Sequence, residues 1–275
     1  DDGLLLILLA ARCHHIGRDH RLVTLHHKGG KGTAHQKAHG GPARCVLRLG
    51  DLIASGGNDK RIKLWLALDP DASHDDGDAP PDGDEGSNAL AALEGHTHWV
   101  RALAAVGGAH ADKEASDERR LLSASREVIL WRILLPPPAP NGQSGSYSVG
   151  AADGGGFLLS EALAVFPLAG GAPPFYSLAA TDHFCYAGDA TGTVCVWALP
   201  TGEPQPPLVA TSRRGGPLRA LARTSRMLLC GDGAGGVSVV DSWTERTDGF
   251  QASAKGLRAI GATRHEQLFT GGDDR

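Results

Sequence analysis

Aromatic residues are scarce in this chain, at 5% of its 275 residues. A core built mainly from large rings is therefore excluded, and Leu, Val and Ala must supply most of the apolar surface that folding buries. The hydrophobic content of 41% is still enough for one large domain or two small ones. Glycine, by contrast, is abundant at 38 residues.

The chain also lacks a strong charge bias and a long apolar run. A formal net charge of −4 does not suggest a nucleic-acid-binding protein. The apolar run Leu4–Ala11 is far shorter than the roughly 20 residues that cross a bilayer. The acidic start Asp1-Asp2 does not resemble a secretory signal. We therefore expect neither nucleic acid nor a membrane among the partners.

Paired cysteine motifs are missing as well. The five cysteines are odd in number and form no CxxC pair. Three of them lie inside apolar runs, at Cys185, Cys195 and Cys230. This pattern favours buried free thiols in a reducing compartment. We expect an intracellular protein, cytoplasmic or nuclear.

One short pattern recurs along the chain. Ser55–Trp65 reads SGGNDKRIKLW: small residues, a turn, then alternating apolar residues that end on Trp. Similar stretches begin at Leu121, Phe184, Met227 and Leu268, and the opening DDGLLLIL matches the second half of the pattern. Alternation with period two around a Gly/Asn/Asp turn predicts a β-hairpin in each copy.

Two further strands accompany each hairpin. The strand before it reads apolar, usually Arg, small, apolar, and these strands begin at Ala43, Trp99, Phe175, Leu218 and Leu257. A weaker strand follows the Trp, as in RLVTL, NALAALEGH and PLVAT. Four strands per unit at intervals of about 40 residues predict an all-β propeller with about five blades' worth of four-stranded antiparallel sheets. We expect one domain over residues 1–275, with disordered loop insertions at about 69–87, 107–119 and 136–156.

With these repeats the chain resembles the WD40-repeat family. The sharpest segment is LEGHTHWVRAL (Leu93–Leu103), which holds the Gly-His pair that opens a repeat. The resemblance implies a structural hydrogen-bond relay of His, Ser or Thr, Asp and Trp. Its members would be His39, Ser55, Asp59, Trp65, His96, Ser123, Trp131 and Trp197. In the second unit the turn Asp is lost to Ser125-Arg126, and no unit keeps the Trp-Asp dipeptide.

The two ends of the chain fall at the same phase of the repeat. Asp1-Asp2-Gly3 and Asp273-Asp274-Arg275 both align with Asn58-Asp59-Lys60. Either the terminal strands pair to complete a shared blade, or the chain is a window cut from a longer propeller. Seven blades are usual in the family that the chain resembles, which favours the window or an irregular propeller.

Signals for other chemistry are weak. Histidines crowd the start of the chain, at His14, His15, His20, His26, His27, His35 and His39, but their spacing is irregular. The segment His27–His35 lacks the spacing of a phosphate-binding loop, and the acidic segment 69–85 lacks that of a calcium loop. No G-x-S-x-G elbow is present. We predict no enzymatic activity, no catalytic residues, no metal and no cofactor.

The family resemblance also implies a partner-binding surface, the narrower top face around the central channel. Its candidate residues are Asn58, His98, Trp99, Arg101, Pro174, Phe175, Tyr176, Arg219, Arg258 and Asp273. An arginine recurs at one phase, at Arg44, Arg101, Arg219 and Arg258. Guanidinium groups at the channel mouth would favour an acidic or phosphorylated peptide. Alternatively, the arginines lie over neighbouring blades and Trp99 packs in the core.

Two functional classes fit these features. The first, our prediction, is a non-catalytic scaffold or adaptor that presents the top face to proteins or peptides in a multiprotein complex. The second is an accessory domain of a larger enzyme, such as a ubiquitin-ligase substrate receptor or a kinase. Receptors that dock on cullin-type adaptors often carry Trp-Asp-x-Arg, and none of Trp65, Trp131 and Trp197 begins that motif.

Overall fold

The structure is a computed structural model. It describes residues 39–50, 52–66, 89–107, 118–135, 159–166, 173–209, 216–224, 226–241, 247–262 and 267–274, together with strands at 5–9, 12–16 and 22–26. The predicted loops at 69–87 and 136–156 lie outside these residues. Of the predicted loop 107–119, Gly107 is a turn residue, and Glu118 and Arg119 already belong to a strand.

Every regular element in the described residues is a β-strand. The strands are β1 (Leu5–Leu9), β2 (Arg12–Ile16), β3 (Leu22–His26), β4 (Ala43–Leu49), β5 (Leu52–Gly57), β6 (Ile62–Leu66), β7 (Ala91–Leu93), β8 (Ala102–Ala105), β9 (Glu118–Ala124), β10 (Val128–Leu134), β11 (Leu159–Phe166), β12 (Phe175–Ala180), β13 (Phe184–Asp189), β14 (Thr193–Ala198), β15 (Pro204–Val209), β16 (Leu218–Arg223), β17 (Met227–Asp232), β18 (Gly236–Asp241), β19 (Thr247–Gln251), β20 (Leu257–Ala262) and β21 (Leu268–Gly272).

The strands form four complete blades, each a four-stranded antiparallel sheet of consecutive strands. The first blade is β4–β7, the second β8–β11, the third β12–β15 and the fourth β16–β19. The innermost strands β4, β8, β12, β16 and β20 are neighbours in chain order. The four sheets are thereby arranged as a four-bladed β-propeller, as the sequence predicts for its fold class.

The core lies between blades, because each sheet has two apolar faces to cover. Leu64 of the first blade and Leu121 of the second belong to one buried cluster. The opposite face of the second blade presents Leu122 and Leu130 to the third. Leucine, valine and alanine dominate these clusters, as the scarcity of aromatic residues requires.

Glycine recurs where one blade approaches the next most closely. A Cβ atom on Gly56 would lie 2.5 Å from Val100 of the second blade, and one on Gly188 would lie 2.7 Å from the Leu218 Cβ of the fourth. At the same phase, a Cβ on Gly231 would lie 2.6 Å from Ile260. The glycines near the end of the first strand in these three hairpins are therefore required, because a larger side chain there would collide with the next sheet.

The strand that opens the second blade starts later than predicted. β8 begins at Ala102 instead of Trp99, whereas the other four innermost strands begin where the sequence places them. The reason is a bridge to the first blade, since the N–H of Val100 donates to Gly57 O at 3.1 Å. The N–H of Arg101 then donates to Ala124 O at 2.8 Å and joins its own sheet.

At the ends, the terminal strands, which the less favoured of the two alternatives would pair in a shared blade, lie in separate sheets within the described residues. β1 pairs with β2 in the three-stranded sheet β1-β2-β3, and β20 pairs with β21 alone. Within the described residues, the predicted five blades' worth of strands is four complete blades, with three strands before them and two after.

Candidate partner-binding face

The first blade contains a continuous relay of side-chain hydrogen bonds. His39 Nδ1 lies 2.9 Å from Asp59 Oδ1, and His39 Nε2 lies 2.8 Å from Ser55 Oγ. The indole N–H of Trp65 donates to the same Ser55 hydroxyl at 2.9 Å. If His39 is protonated on Nδ1, this N–H donates to Asp59, and Nε2 accepts from the Ser55 hydroxyl. Each polar side chain of the relay then has a hydrogen-bond partner. The relay ties the segment before β4 to the β5–β6 turn.

A similar relay holds the second blade, with Glu127 in the place of the Asp. His96 Nε2 lies 2.6 Å from Ser123 Oγ, and Trp131 Nε1–H donates to that oxygen at 2.8 Å. His96 Nδ1 lies 2.9 Å from Glu127 Oε1. The prediction that this acid is lost to Ser125-Arg126 is therefore wrong, because Glu127 supplies it. The β9–β10 turn is shorter than the β5–β6 turn, and the longer Glu side chain reaches the histidine.

The next two blades close their turns differently. The carboxylate of Asp189 accepts hydrogen bonds from the N–H groups of Thr191 and Thr193. Asp232 does the same for Ala234 and Gly236. Trp197, assigned to a relay, packs between rings, with centroids 5.8 Å from Phe166 and 5.6 Å from Phe175. In the third blade, Trp197 is therefore held by apolar packing, whereas the equivalent Trp residues of the first two blades belong to a hydrogen-bond relay.

The anchored turns and the starts of the innermost strands meet on one surface, the top face. Here side chains from the first four blades form a continuous series of cation–π contacts, which we name the arginine–aromatic row. Its members are Arg44, Trp99, Arg101, Tyr176 and Arg219. The structure therefore brings together four residues that the sequence assigned to the partner surface, together with Arg44 of the arginine series.

Distances along the row are short. The guanidinium carbons of Arg44 and Arg101 lie 5.1 Å and 5.3 Å from the centroid of the Trp99 ring. Arg101 also lies 4.8 Å from the Tyr176 ring, and Arg219 lies 5.9 Å from it. All four contacts are within the range of an energetically useful cation–π interaction. The arginines do lie over rings of neighbouring blades, as the alternative interpretation proposed, yet Trp99 is 37% exposed and is not a core residue.

Two polar pairs flank the row at equivalent positions of the repeat. Arg44 Nε donates to Asn58 Oδ1 at 2.7 Å, and Arg258 Nε donates to Asp273 Oδ1 at 2.8 Å. The hydrogen bond from Arg258 is the main cause that lowers the pKa of the Asp273 carboxyl. Both arginines are exposed. In these two units the arginine at this position therefore contacts the residue just before the turn acid.

Phe175, assigned to the same surface, does not lie on it. Its side chain is fully buried and packs edge-to-face against Trp197. Alternation along β12 explains the difference, because the adjacent Tyr176 points to the other face and joins the row. Pro174, just before the strand, is half-buried.

His98 lies at the first-blade end of the row, beside Trp99 with a centroid separation of 5.1 Å. Burial, followed by the charges of Arg126, Arg101 and Lys60, lowers the pKa of His98. Arg126 and Lys60 are not among the residues predicted for this surface. The signal was present for Arg126, since it precedes the turn acid Glu127 just as Asn58 precedes Asp59.

The described residues contain no group of three or more His, Cys, Asp or Glu side chains arranged to hold a metal ion. Of the crowded histidines, only His39 has a described side chain. The same part of the chain contains no helix long and apolar enough to cross a membrane. Cys185 and Cys230 are buried free thiols, and burial raises the pKa of Cys230 to about 12.

The family model described as "WD40: WD domain, G-beta repeat" matches residues 30–65, which include the relay of the first blade. No curated protein matches the chain.

Proposed function

We propose that this chain, which resembles the WD40-repeat family at residues 30–65 and folds as a β-propeller, is a non-catalytic interaction module that binds an acidic segment of a partner protein on its top face. Propeller domains of this family commonly mediate protein–protein interaction and are generally non-catalytic. In such scaffolds function resides in the loops and strand ends that a rigid frame presents. The observation that carries the proposal is the arginine–aromatic row.

The charge of the row supports an acidic ligand. In the described part of the chain, Arg44, Arg101 and Arg219 form no ion pair with a carboxylate. Three guanidinium groups therefore lie along one surface of a protein whose net charge is −4. Carboxylate groups spaced along an extended segment would satisfy them with charge-assisted hydrogen bonds.

The geometry of the row also limits the cost of binding. Stacking on Trp99 and Tyr176 restricts the guanidinium groups before a partner arrives, so less side-chain entropy is lost on association. Trp, Tyr and Arg are the residue types that dominate interface energetics. The row is thus both charged and preorganised.

A matched pair of variants on one strand tests the proposal. Arg44 and Arg48 lie at opposite ends of β4, and Arg48 Nε donates to Gly50 O away from the row. The probe is a fluorescein-labelled peptide rich in Glu, with a Gln-substituted peptide as its uncharged counterpart. We expect Arg44→Gln and Arg101→Gln each to weaken binding of the Glu peptide about tenfold, because each removes a charge-assisted contact.

Arg48→Gln is expected to bind the Glu peptide like the parent. An affinity pull-down with the full chain and the variants Trp99→Ala and Arg101→Glu extends the test to cellular partners. Equal binding by Arg44→Gln, Arg101→Gln and the parent would show that the partner surface lies elsewhere.

A further inference from the structure

Trp99 is the ring that joins Arg44 to Arg101 in the arginine–aromatic row, yet it lies outside the strands. Its segment precedes β8, which begins only at Ala102. The other ring of the row, Tyr176, is the second residue of β12, so pairing within a sheet fixes its direction. Other contacts must therefore hold the segment of Trp99 in the conformation that places its ring beside two guanidinium groups.

Two residues before Trp99, Thr97 is held by the carboxylate of Glu127 in the β9–β10 turn. The N–H of Thr97 donates to Glu127 Oε1 at 2.9 Å, and its hydroxyl donates to Glu127 Oε2 at 3.1 Å. The carboxylate is itself held, since His96 Nδ1 lies 2.9 Å from Oε1. Both oxygens of one carboxylate thus bind one residue, which fixes the backbone of Thr97 together with its side chain.

The other end of the segment is held by the backbone. The N–H of Val100 donates to Gly57 O at 3.1 Å, and the N–H of Arg101 donates to Ala124 O at 2.8 Å. Trp99 lies between these two anchors and the anchor at Thr97. Only the anchor at Thr97 depends on side chains, so it is the one that a substitution can remove.

The first blade shows that the hydroxyl of Thr97 is not needed for the relay. Gly40 has the equivalent position there, directly after the relay histidine, and its N–H donates to Asp59 Oδ2 at 3.1 Å. A glycine has no hydroxyl for a second contact, yet the relay is complete in both blades. The hydroxyl of Thr97 therefore acts on the segment that carries Trp99.

The β9–β10 turn also contacts the strand that carries the second ring. The N–H of Phe175, directly before Tyr176, donates to Ser125 O at 2.9 Å. The guanidinium carbon of Arg101 lies 5.3 Å from the Trp99 centroid and 4.8 Å from the Tyr176 centroid. One turn is thus bonded to the segments of both rings that contact Arg101.

We propose that Thr97, bound to Glu127, is a positioning residue of the partner-binding face, and that its hydroxyl contact sets the place of Trp99 in the row. This inference rests on the proposed function, because it names what orders the row before a partner arrives. Loss of the contact leaves the charge of the row unchanged but gives Trp99 more freedom, which binding must then restrict. Thr97 is exposed, so the loss affects binding more than stability.

The test measures binding of the fluorescein-labelled Glu-rich peptide to the full chain, at a temperature at which every variant is folded. Thr97→Val removes the hydroxyl but keeps the shape of the side chain, and we expect it to weaken binding about three- to tenfold. Thr97→Ser keeps a hydroxyl and should bind like the parent.

Thr191→Val is the matched control. Thr191 also donates its hydroxyl to a turn carboxylate, Asp189 Oδ1 at 2.8 Å, but that contact stays within one turn of the third blade. The variant loses the same kind of hydrogen bond without touching the segment of Trp99. It should therefore bind the Glu-rich peptide like the parent.

A double-mutant cycle separates positioning from a general structural effect. In the Trp99→Ala background, Thr97→Val has no ring to position and should cause little further loss of binding, so the two losses are not additive. A general loosening of the blade would weaken binding equally in both backgrounds. Additive losses, or equal binding by Thr97→Val and the parent, would overturn the inference.

Failure of this inference is distinguishable from failure of the proposed function. If Arg44→Gln weakens binding of the Glu-rich peptide and Thr97→Val does not, only the positioning role fails. If Arg44→Gln and Arg101→Gln also bind like the parent, the proposed function fails, and the positioning role fails with it.

Discussion

His96 and Glu127 join the two ends of the second blade's first hairpin. Nδ1 of His96 lies 2.9 Å from Oε1 of Glu127, and the side chain of His96 is almost fully buried. The same carboxylate accepts from the N–H and the hydroxyl of Thr97. These contacts tie the segment before β8 to the β9–β10 turn.

The His96–Glu127 pair makes stability dependent on pH. Burial lowers the pKa of His96 below its ordinary 6.5. Burial acts to raise the pKa of Glu127, but the hydrogen bonds from Thr97 and His96 outweigh it and lower the pKa below 4.5. Each group therefore binds protons more readily in the unfolded state, so stability falls as the pH falls.

The contribution of His96 is complete above its unfolded pKa of about 6.5 and is lost at lower pH, and that of Glu127 follows below about 4.5. We expect the urea midpoint to fall steadily between neutral and acidic pH. In His96→Asn the fall through the higher of these ranges should be smaller, with His39 still contributing in the same direction. A midpoint independent of pH in the parent would contradict the assignment.

Two neighbouring serines of the second blade should respond oppositely to replacement by alanine. Ser123 Oγ joins His96 and Trp131, so Ser123→Ala leaves two buried polar groups unpaired. We expect it to lower the free energy of unfolding by about 1–3 kcal/mol. Ser125 Oγ is buried and has no hydrogen-bond partner among the described residues, so Ser125→Ala should be neutral or slightly stabilising. Urea titrations of both variants provide the measurement, and equal losses would count against the relay.

The close approach of blades can be tested at Gly188. A Cβ there would lie 2.6 Å from Ser177 Oγ and 2.7 Å from Leu218 Cβ, neither of which can easily move. We expect Gly188→Ala to cost about 1–3 kcal/mol of stability through overpacking. Gly261 on β20 is the control, since no heavy atom lies within 4 Å of its added Cβ. Thermal unfolding of the two variants should show a lower melting temperature only for Gly188→Ala.

Substitutions at Trp99 and Trp131 test whether each Trp serves partner binding or stability. Trp99 is 37% exposed, whereas Trp131 is 4% exposed and donates to Ser123. Trp131→Ala should destabilise the chain by about 3–5 kcal/mol, as expected for a buried large-to-small change. Trp99→Ala should unfold at nearly the same urea concentration as the parent while it binds the Glu-rich peptide more weakly. A large loss of stability in Trp99→Ala would instead support the core interpretation of this residue.

Part of the candidate site could be anticipated from residue phase. Arg44, Arg101 and Arg219 recur at one position of the repeat, and the structure places all three along the row. The stacking partners were harder to assign. Phe175 and Tyr176 are adjacent, and only strand orientation decides that the first is buried and the second reaches Arg101.

Glu127 was overlooked for a different reason. It lies four residues after Ser123, as Asp59 lies four residues after Ser55, but it is a Glu where the relay pattern has an Asp, and its side chain reaches His96. The junction of the first and second blades depends on contacts between segments that are distant in sequence. The segment before β8 lies between two turns because Val100 bonds to Gly57 of the first blade and Arg101 to Ala124 of the second.

Strand positions, hairpin turns and the repeat of four strands follow from residue order, because period-two alternation and turn chemistry act over a few neighbouring residues. How many blades are complete, and which guanidinium lies over which ring, depended on the packing of one sheet against the next. Those contacts join residues from different repeats that are far apart in sequence. A pattern over a few neighbouring residues therefore cannot show which of these residues lie close together in space.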